Sequence, residues 1–306
     1  TELAACERPF LVDGALRGRL AALRADLRRA RTRGPAGARE AAALAGAESK
    51  AAEMEMWLEG GPLGETGWRH PFVEAMGAKR LPAMGAAEPD EEGWRRAERF
   101  AKALAEGGDP FAGEKGDWRL GRQAPEGALT PYRLFAPGGA AEAKRPLVVL
   151  LHPFLASEAS WGGALSGGAL AGLAEKYGGL VLCPANPLAF ADPTPERAKA
   201  LDELVDEVAE AFGADPARIY LAGHGTSAVE ALYYALGRAP RYAGVGAVAG
   251  APPRLFDMKQ AAETPALFAY SEADEVAPVA EMRKWAAYFE SRMKRGKALK
   301  LEKAGH

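Results

Sequence analysis

The hydrophobic positions in the first hundred residues recur every three or four residues, which is the spacing of an amphipathic helix. The first such segment, 13–34, carries a stripe of leucines separated by alternating steps of four and three: Leu16, Leu20, Leu23 and Leu27. Asp13 precedes the stripe and is predicted to be the N-cap of this helix. The stripe fits either a coiled-coil contact or packing onto the helix's own domain. Because it lasts under two full heptads, it favours packing onto the domain.

Two further helices are predicted in this region, over 38–61 and 90–108. The second is predicted to bury one face, made of Trp94, Ala97, Phe100, Ala101 and Leu104. The segment 108–130 is then rich in Gly and Pro, which indicates a connector. The sequence therefore predicts an N-terminal helical region, 1–107, then the connector, 108–130, and a second domain, 131–306.

From about residue 130, apolar runs typical of strands alternate with segments typical of helices. The predicted strands are 132–137, 145–152, 179–184, 218–223, 243–250, 266–271 and 298–303. The predicted helices between them cover 168–177, 194–212, the segment from Ala228 to Leu236, and 278–294. The run within 145–152 is almost wholly apolar, as expected for a strand that is buried on both faces. This alternation predicts an α/β domain, with a mostly parallel sheet and helices on both faces.

Composition and charge narrow the classes of partner. The chain has 306 residues, of which 48% are hydrophobic and 26% charged, and its formal net charge is −2. A protein that binds nucleic acid or a membrane surface usually carries a basic surplus, so neither partner is expected. No apolar run approaches the roughly 20 residues that a membrane-spanning helix needs. Two cysteines, Cys6 and Cys183, are too few for a disulfide framework or a zinc cluster, and no metal site is expected.

The N-terminal residues leave the localisation open between cytoplasmic and exported. The stretch LAAC, Leu3–Cys6, resembles the end of a bacterial lipoprotein signal. Glu2 precedes it where such a signal has an apolar core, which argues against a lipid anchor. The chain starts without Met, so a trimmed export signal is compatible with the sequence.

The stretch 218–236 is the most informative motif, because it joins a strand, a tight turn and a helix. In hydrolases with a G-x-S-x-G elbow, the nucleophile adopts a strained backbone, so the residues two positions away must be small. Here Gly223 and Ser227 are small enough, and the residue midway between them is Gly225. Centring the motif on Ser227 would put Val229 at the second small position. Ser227 is therefore a poor nucleophile, and its hydroxyl is expected near the site.

Four loops with candidate chemistry follow predicted strands: His152-Pro153-Phe154, the turn 223–227, Asp274 and His306. Functional residues of parallel sheets cluster at the carboxyl ends of the strands, so we expect these loops to meet. A serine hydrolase needs a general base and an acid that orients the base. In α/β-hydrolases these residues follow the nucleophile in the chain order acid, then histidine. Asp274 and His306 follow position 225 in that order.

The sequence DPARIYLAGHGTSA resembles the nucleophile elbow of the prolyl-oligopeptidase-like and polyhydroxybutyrate-depolymerase-like α/β-hydrolases, many of which are esterases. PLVVLLHPFLASEASW is similar to their oxyanion loop, SEADEVAPV to their acid loop and AGH to their histidine loop. The resemblance covers about residues 130–306. It implies an α/β-hydrolase fold, preceded here by the N-terminal helical region. It also implies hydrolysis of a small ester or acyl substrate without a cofactor.

The same resemblance implies a role for each site residue. Asp274 is the acid and His306 the general base, while Gly225 stands at the nucleophile position. The implied oxyanion donors are the backbone N–H groups of Phe154 and Thr226. The residues expected to line the pocket are His152, His224, Ser227 and Trp161.

The sequence departs from the family pattern at three positions: Gly225 replaces the serine, and Pro153 and Ser271 each replace a glycine. Glycine has no side chain that could attack an ester, so a covalent acyl-enzyme is not available to this chain. Three interpretations stay open. Asp274 and His306 favour an esterase inactivated at position 225, whereas Pro153 and Ser271 favour a natural pseudo-hydrolase that binds a ligand or a protein. In the third, His306 activates a water held at the serine's place. The substrate and the oligomeric state stay open as well.

Overall fold

The computed structural model describes most of the chain, in these ranges: 10–58, 91–113, 116–124, 127, 129–137, 144–153, 156–162, 169–185, 194–238, 240–250, 252, 262–302 and 305. Two compact units make up the protein. The first contains residues 1–112 and 119–129, and the second contains 113–118 and 130–306. The site residues predicted from the sequence belong to the second unit.

Within its described residues, the first unit has the helices α1 (Phe10–Arg33), α2 (Ala38–Leu58) and α3 (Glu91–Glu106). The leucine stripe of α1 is buried, and α1 packs against both α2 and α3. Packing onto its own domain, the interpretation that the short stripe favoured, is therefore what the structure has. The five residues of α3 that were predicted to be buried are all buried.

The predicted N-cap of α1 is wrong. The helix begins at Phe10, so Asp13 lies inside its first turn rather than at its start. An aspartate at the N-cap is favoured because it accepts from the free N–H groups. An aspartate in the first turn is favoured as well, by the helix dipole. The residue type alone therefore does not separate the two positions.

The predicted connector also contains a strand, β1 (Gly116–Gln123), which buries Trp118 and Leu120. Gly121 of this strand lies against α2, where an added Cβ would stand 2.7 Å from the backbone carbon of Ala45. A Cβ on Gly46 of α2 would in turn lie 2.6 Å from the Cα of Leu120. Gly121 therefore allows β1 and α2 to approach each other closely, and it is not a turn residue.

Strands β2 to β8 of the second unit belong to a sheet with the order β1-β2-β4-β3-β5-β6-β7-β8. The strands after β1 are β2 (Leu129–Ala136), β3 (Arg145–Leu151), β4 (Leu180–Pro184), β5 (Ala214–His224), β6 (Gly244–Val248), β7 (Ala266–Ser271) and β8 (Gly296–Leu301). β2 pairs antiparallel with β4, and every neighbouring pair from β4 to β8 is parallel. The predicted mostly parallel sheet is confirmed.

Helices cover both faces of this sheet. They are α4 (Ala169–Tyr177), α5 (Pro195–Phe212), α6 (Thr226–Leu236) and α7 (Val279–Arg292). α6 packs on β5 and β6, and α7 packs on β7 and β8. On the opposite face, Ala174 of α4 joins a buried cluster with Val181 and Cys183 of β4. Within the described ranges, no helix is long and apolar enough to cross a membrane.

Candidate active site

A single residue, Gly225, separates strand β5 from helix α6, and its backbone has φ 58° and ψ −125°. Its N–H donates to the carbonyl of Val248 at 2.9 Å, which ties the turn to β6. Its carbonyl accepts a hydrogen bond from the N–H of Ala228 at 3.1 Å. A side chain at a positive φ is strained, and glycine adopts this conformation without strain. The predicted strand, tight turn and helix are therefore present, with position 225 at the apex.

Two glycines make this turn as tight as it is. A Cβ on Gly223 would overlap the carbonyl oxygen of Ser227. A Cβ on Gly250, just past β6, would overlap the carbonyl oxygen of Gly225. At Gly223 and at Gly250 the neighbouring backbone is so close that a hydrogen atom fits and a side chain does not. A turn of this kind carries the nucleophile in elbow-type hydrolases. Position 225, the predicted centre of the motif, is the residue between β5 and α6.

Ser227 lies beneath the turn and is fully buried. Its hydroxyl donates to the backbone carbonyl of His152 at 2.7 Å and lies 3.1 Å from Oε2 of Glu230. The hydroxyl is therefore near the turn, and it links α6 to the residue that follows β3.

His152 follows β3, and its ring is buried, with 4% of the residue exposed. Its Nδ1 lies 2.9 Å from the carbonyl oxygen of Pro153. Because a carbonyl only accepts, Nδ1 carries the hydrogen. Burial lowers the pKa of His152 below its usual value, although the Pro153 carbonyl and the charge of Glu158 act in the opposite direction. Because burial is the largest of these effects, the imidazole of His152 is neutral near neutral pH.

Trp161 and His224 meet beside the elbow. Their rings stand edge to face with centroids 6.4 Å apart. Trp161 also packs against the buried cluster that contains Phe135 and Cys183. Trp161 was predicted as a pocket wall, and it lies between this core cluster and the residue that precedes Gly225.

Asp274 stands in the loop after β7 and is 9% exposed. Its Oδ1 accepts hydrogen bonds from the N–H groups of Val276 at 2.8 Å and Ala277 at 2.7 Å. The hydroxyl of Ser271 shapes the same loop by accepting a bond from the N–H of Ala273 at 3.1 Å. Asp274 is thus held in place at the carboxyl end of the sheet, two strands from the elbow.

Two predicted residues, His306 and Phe154, lie outside the described residues, so the pairing of Asp274 with His306 stays a prediction. The stretch Leu3–Cys6 lies outside them as well. The other predicted oxyanion donor, Thr226, is the first residue of α6. The backbone N–H groups in the first turn of a helix have no acceptor within the helix and point outward from its N-terminal end.

Sequence reasoning missed two buried charges at the site. Glu230 of α6 is 2% exposed and forms an ion pair with Arg197 of α5. Glu158, close to His152, is 6% exposed. The signal for Glu230 was available, because it is the one charged residue in the otherwise apolar helix TSAVEALYYAL.

A mostly parallel sheet with helices on both faces, and a tight turn from strand to helix at the carboxyl end of a central strand, are features of the α/β-hydrolase fold. The second unit has this fold.

Comparisons with known proteins agree with this class. No protein-family model and no curated protein matches the chain. Solved structures do match: a ferulic acid esterase has a TM-score of 0.52 at 12% identity, covering 62% of this chain and 90% of that chain. S-formylglutathione hydrolase from Staphylococcus aureus has a TM-score of 0.50 at 12% identity, covering 62% of this chain and 91% of that one. A fluorophosphonate-binding serine hydrolase of Staphylococcus aureus, substrate bound, has a TM-score of 0.50 at 13% identity, covering 63% and 92%.

A thermostable esterase is also similar, and the chain spans 55% of its length. At identities this low, the likeness of the three structures with TM-scores of 0.50–0.52 shows the fold. It does not extend to their substrates.

Proposed function

We propose that this protein is a serine-hydrolase-type carboxylic ester hydrolase in which Gly225 occupies the position of the nucleophile. The observation that carries the proposal is the backbone of Gly225, with φ 58° and ψ −125° at the apex of the turn between β5 and α6. The nucleophile of an elbow hydrolase stands on a strained turn of this kind. A glycine has no side chain that this backbone conformation could present to a substrate. The turn is therefore best explained as the position of a nucleophile.

The rest of the proposed machinery surrounds that position. Asp274 is buried and held by two backbone N–H groups, as an acid that orients a base should be. In the proposal His306 is that base, and the N–H groups of Thr226 and Phe154 bind the ester's carbonyl oxygen. Trp161 and His224 form the wall of the pocket beside the elbow. The ligand is a small ester or acyl compound.

With glycine at position 225, the proposed site binds such a ligand but does not form an acyl-enzyme. That intermediate needs a side-chain oxygen that attacks the carbonyl carbon while the base removes its proton. The chain therefore acts as the inactivated form of an esterase.

Pro153 and Ser271 favour a second candidate, a natural pseudo-hydrolase that serves as a ligand- or protein-binding module. Both residues are integrated into their loops: the carbonyl of Pro153 accepts from the ring of His152, and the hydroxyl of Ser271 accepts from Ala273. A change made only to silence an enzyme would have no need of either.

Hydrolysis of p-nitrophenyl acetate and butyrate by Gly225→Ser separates the two candidates. The matched control is Gly225→Ala, which adds the same Cβ and the same backbone strain without an oxygen. We expect ester hydrolysis well above background for Gly225→Ser and none for Gly225→Ala, because positioned donors and a base each contribute about two or more orders of magnitude in rate. A folded Gly225→Ser that is no faster than Gly225→Ala would favour the binding module.

A further inference from the structure

We propose that the indole ring of Trp161 sets the length of the apolar group that the site accepts, so that the site takes short-chain esters. This inference rests on the proposed function, since it names the class of ester for the proposed ester site. The contacts of the ring that carry the inference do not depend on any activity.

The ring of Trp161 stands beside the turn that carries position 225. It lies edge to face with the ring of His224, the residue before Gly225, with centroids 6.4 Å apart. A Cβ on Gly223 would meet the backbone of Ser227 in α6, so Gly223 faces that helix. Successive residues of a strand point to opposite faces of the sheet. His224 therefore points to the face opposite α6, and the ring of Trp161 lies against it there.

An apolar cluster lies behind the ring on that same face. Leu150 of β3 is level with Ala222 of β5, which points to the same face as His224. Trp161, Leu150 and Leu170 all pack against the buried members of the cluster, which are Phe135, Ala174, Val181 and Cys183. The ring of Trp161 thus separates the side chain of His224 from a set of apolar side chains.

Hydrogen bonds hold the residues that lead into Trp161. The hydroxyl of Ser160 accepts from the N–H of Ser157 at 2.9 Å, and the hydroxyl of Ser157 accepts from the N–H of Ala159 at 3.3 Å. The guanidinium of Arg133, on β2, donates to the carbonyl of Ala159 at 3.3 Å. Because these bonds fix the backbone just before Trp161, we expect its ring to stay in place when a ligand binds.

The position of the ring limits the length of one part of a bound ester. An ester whose carbonyl carbon lies beside position 225 extends its acyl and alcohol groups in different directions. The group that runs along the face opposite α6 meets the indole ring of Trp161. Replacing the indole by a methyl group would open the space as far as the apolar cluster, and a cavity lined by apolar side chains stays dry and takes up apolar ligands. A longer group therefore fits only when the ring is removed.

The first arm of the test measures binding to the chain with Gly225 in place, in which no acyl-enzyme forms. The ligands are ethyl butyrate, ethyl octanoate and octyl acetate, so the long group is on the acyl side of one ester and on the alcohol side of another. We expect Trp161→Ala to tighten the binding of one of the two long esters, relative to ethyl butyrate, by about tenfold or more, because the added methylene groups leave water. Isothermal titration calorimetry measures the three dissociation constants.

Phe289→Leu is the matched control, because it loosens the core of the same unit at a distance from the turn. The ring of Phe289 is fully buried in α7 against that of Phe268, with centroids 5.9 Å apart, and it lies next to Gly296 at the amino end of β8. This change should leave the ratios of the dissociation constants as they are in the parent. If Trp161→Ala does not fold, Trp161→Leu, which keeps more of the volume, decides the outcome. Unchanged ratios in the folded Trp161 variant, or the same shift in Phe289→Leu, would overturn the inference.

The second arm repeats these changes in the Gly225→Ser background and follows hydrolysis of the same three esters in a pH-stat. We expect the parent to prefer ethyl butyrate to one of the long esters, and Trp161→Ala to raise kcat/KM for that ester, relative to ethyl butyrate, by about 10- to 100-fold. An active parent whose preference is insensitive to Trp161→Ala would overturn the length limit alone. An inactive parent, with the long ester still bound more tightly by Trp161→Ala in the first arm, would overturn the proposed esterase function and support the length limit.

Discussion

A Cβ atom on Gly223 would overlap the carbonyl oxygen of Ser227 and lie 2.8 Å from the backbone nitrogen of Ala228. Strand β5 and the first turn of α6 therefore touch backbone to backbone. Gly223→Ala must push them apart, so we expect it to lower the free energy of unfolding by about 3 kcal/mol or more, as severe overpacking does. Urea unfolding at neutral pH measures the loss.

Gly172 provides the matched control for that substitution. It lies within α4, and a Cβ there would meet nothing within 4 Å. Gly172→Ala should raise the free energy of unfolding by about 0.5–1 kcal/mol, because alanine loses less conformational freedom in a helix. A Gly223→Ala protein as stable as the parent would contradict the tight-turn geometry.

The charge and the turn contacts of Asp274 can be separated. Oδ1 accepts two backbone N–H groups, and the amide oxygen of asparagine can accept them too. Asp274→Asn should therefore leave stability nearly unchanged, whereas Asp274→Ala should cost about 1–3 kcal/mol by leaving buried donors without an acceptor. Thermal unfolding of both variants measures the difference.

In the Gly225→Ser background, Asp274→Asn should nevertheless reduce kcat by about 10⁴-fold, because the base loses the carboxylate that selects its tautomer. Full activity in that double variant would remove Asp274 from the proposed machinery.

The ion pair of Arg197 and Glu230 should respond asymmetrically to substitution. The Arg197 side chain is 18% exposed and that of Glu230 only 2%. Arg197→Met leaves a buried carboxylate without this cationic partner and should cost about 3 kcal/mol, while Glu230→Gln leaves a guanidinium that still reaches water and should cost less. A double-mutant cycle by urea unfolding should show that the combined variant recovers part of the loss. A larger loss of stability in Glu230→Gln than in Arg197→Met would contradict the finding that Glu230 is the more buried of the two.

Burial of His152 makes stability depend on pH. Its pKa in the folded protein lies below the usual value, so on acidification the unfolded chain takes up this proton first. The contribution of His152 to the free energy of unfolding is complete above about pH 6.5. It is lost as the pH falls from there toward the pKa of His152 in the folded protein. His152→Asn keeps a donor for the Pro153 carbonyl without titrating, so its free energy of unfolding should fall less between pH 7.5 and 5. A ring of His152 that titrates above pH 6.5 in NMR spectra would contradict the buried site.

The tight turn between β5 and α6 could be predicted because residue size limits where its apex can lie. Only a centre at position 225 places small residues, Gly223 and Ser227, on both sides of the apex, and the observed overlap of a Cβ on Gly223 shows why size decides. The strands of the second unit were likewise visible as apolar runs. Both features depend on residues that are close in sequence.

What the sequence did not predict depends on contacts between distant residues. β1 was taken for a connector because its glycines look like turn residues, yet Gly121 is required by the backbone of Ala45 in α2. Glu230 stands out as a charged residue of α6, but its pairing with Arg197 could not be predicted because Arg197 lies 33 residues earlier, on another helix. No local pattern of the chain contains either relationship.

Covalent labelling by a fluorophosphonate tests most directly whether position 225 is the seat of a nucleophile. The reagent forms a bond from phosphorus to an activated serine oxygen as fluoride leaves, and intact-mass and peptide analysis locate the adduct. We expect one adduct, at position 225, in Gly225→Ser, none in Gly225→Ala, and slower labelling when His306→Ala is added. Circular dichroism and thermal unfolding would establish that Gly225→Ser is folded, with stability lowered by about 1–3 kcal/mol through strain at the turn. A folded Gly225→Ser protein that acquires no adduct would show that position 225 is not the place of a nucleophile.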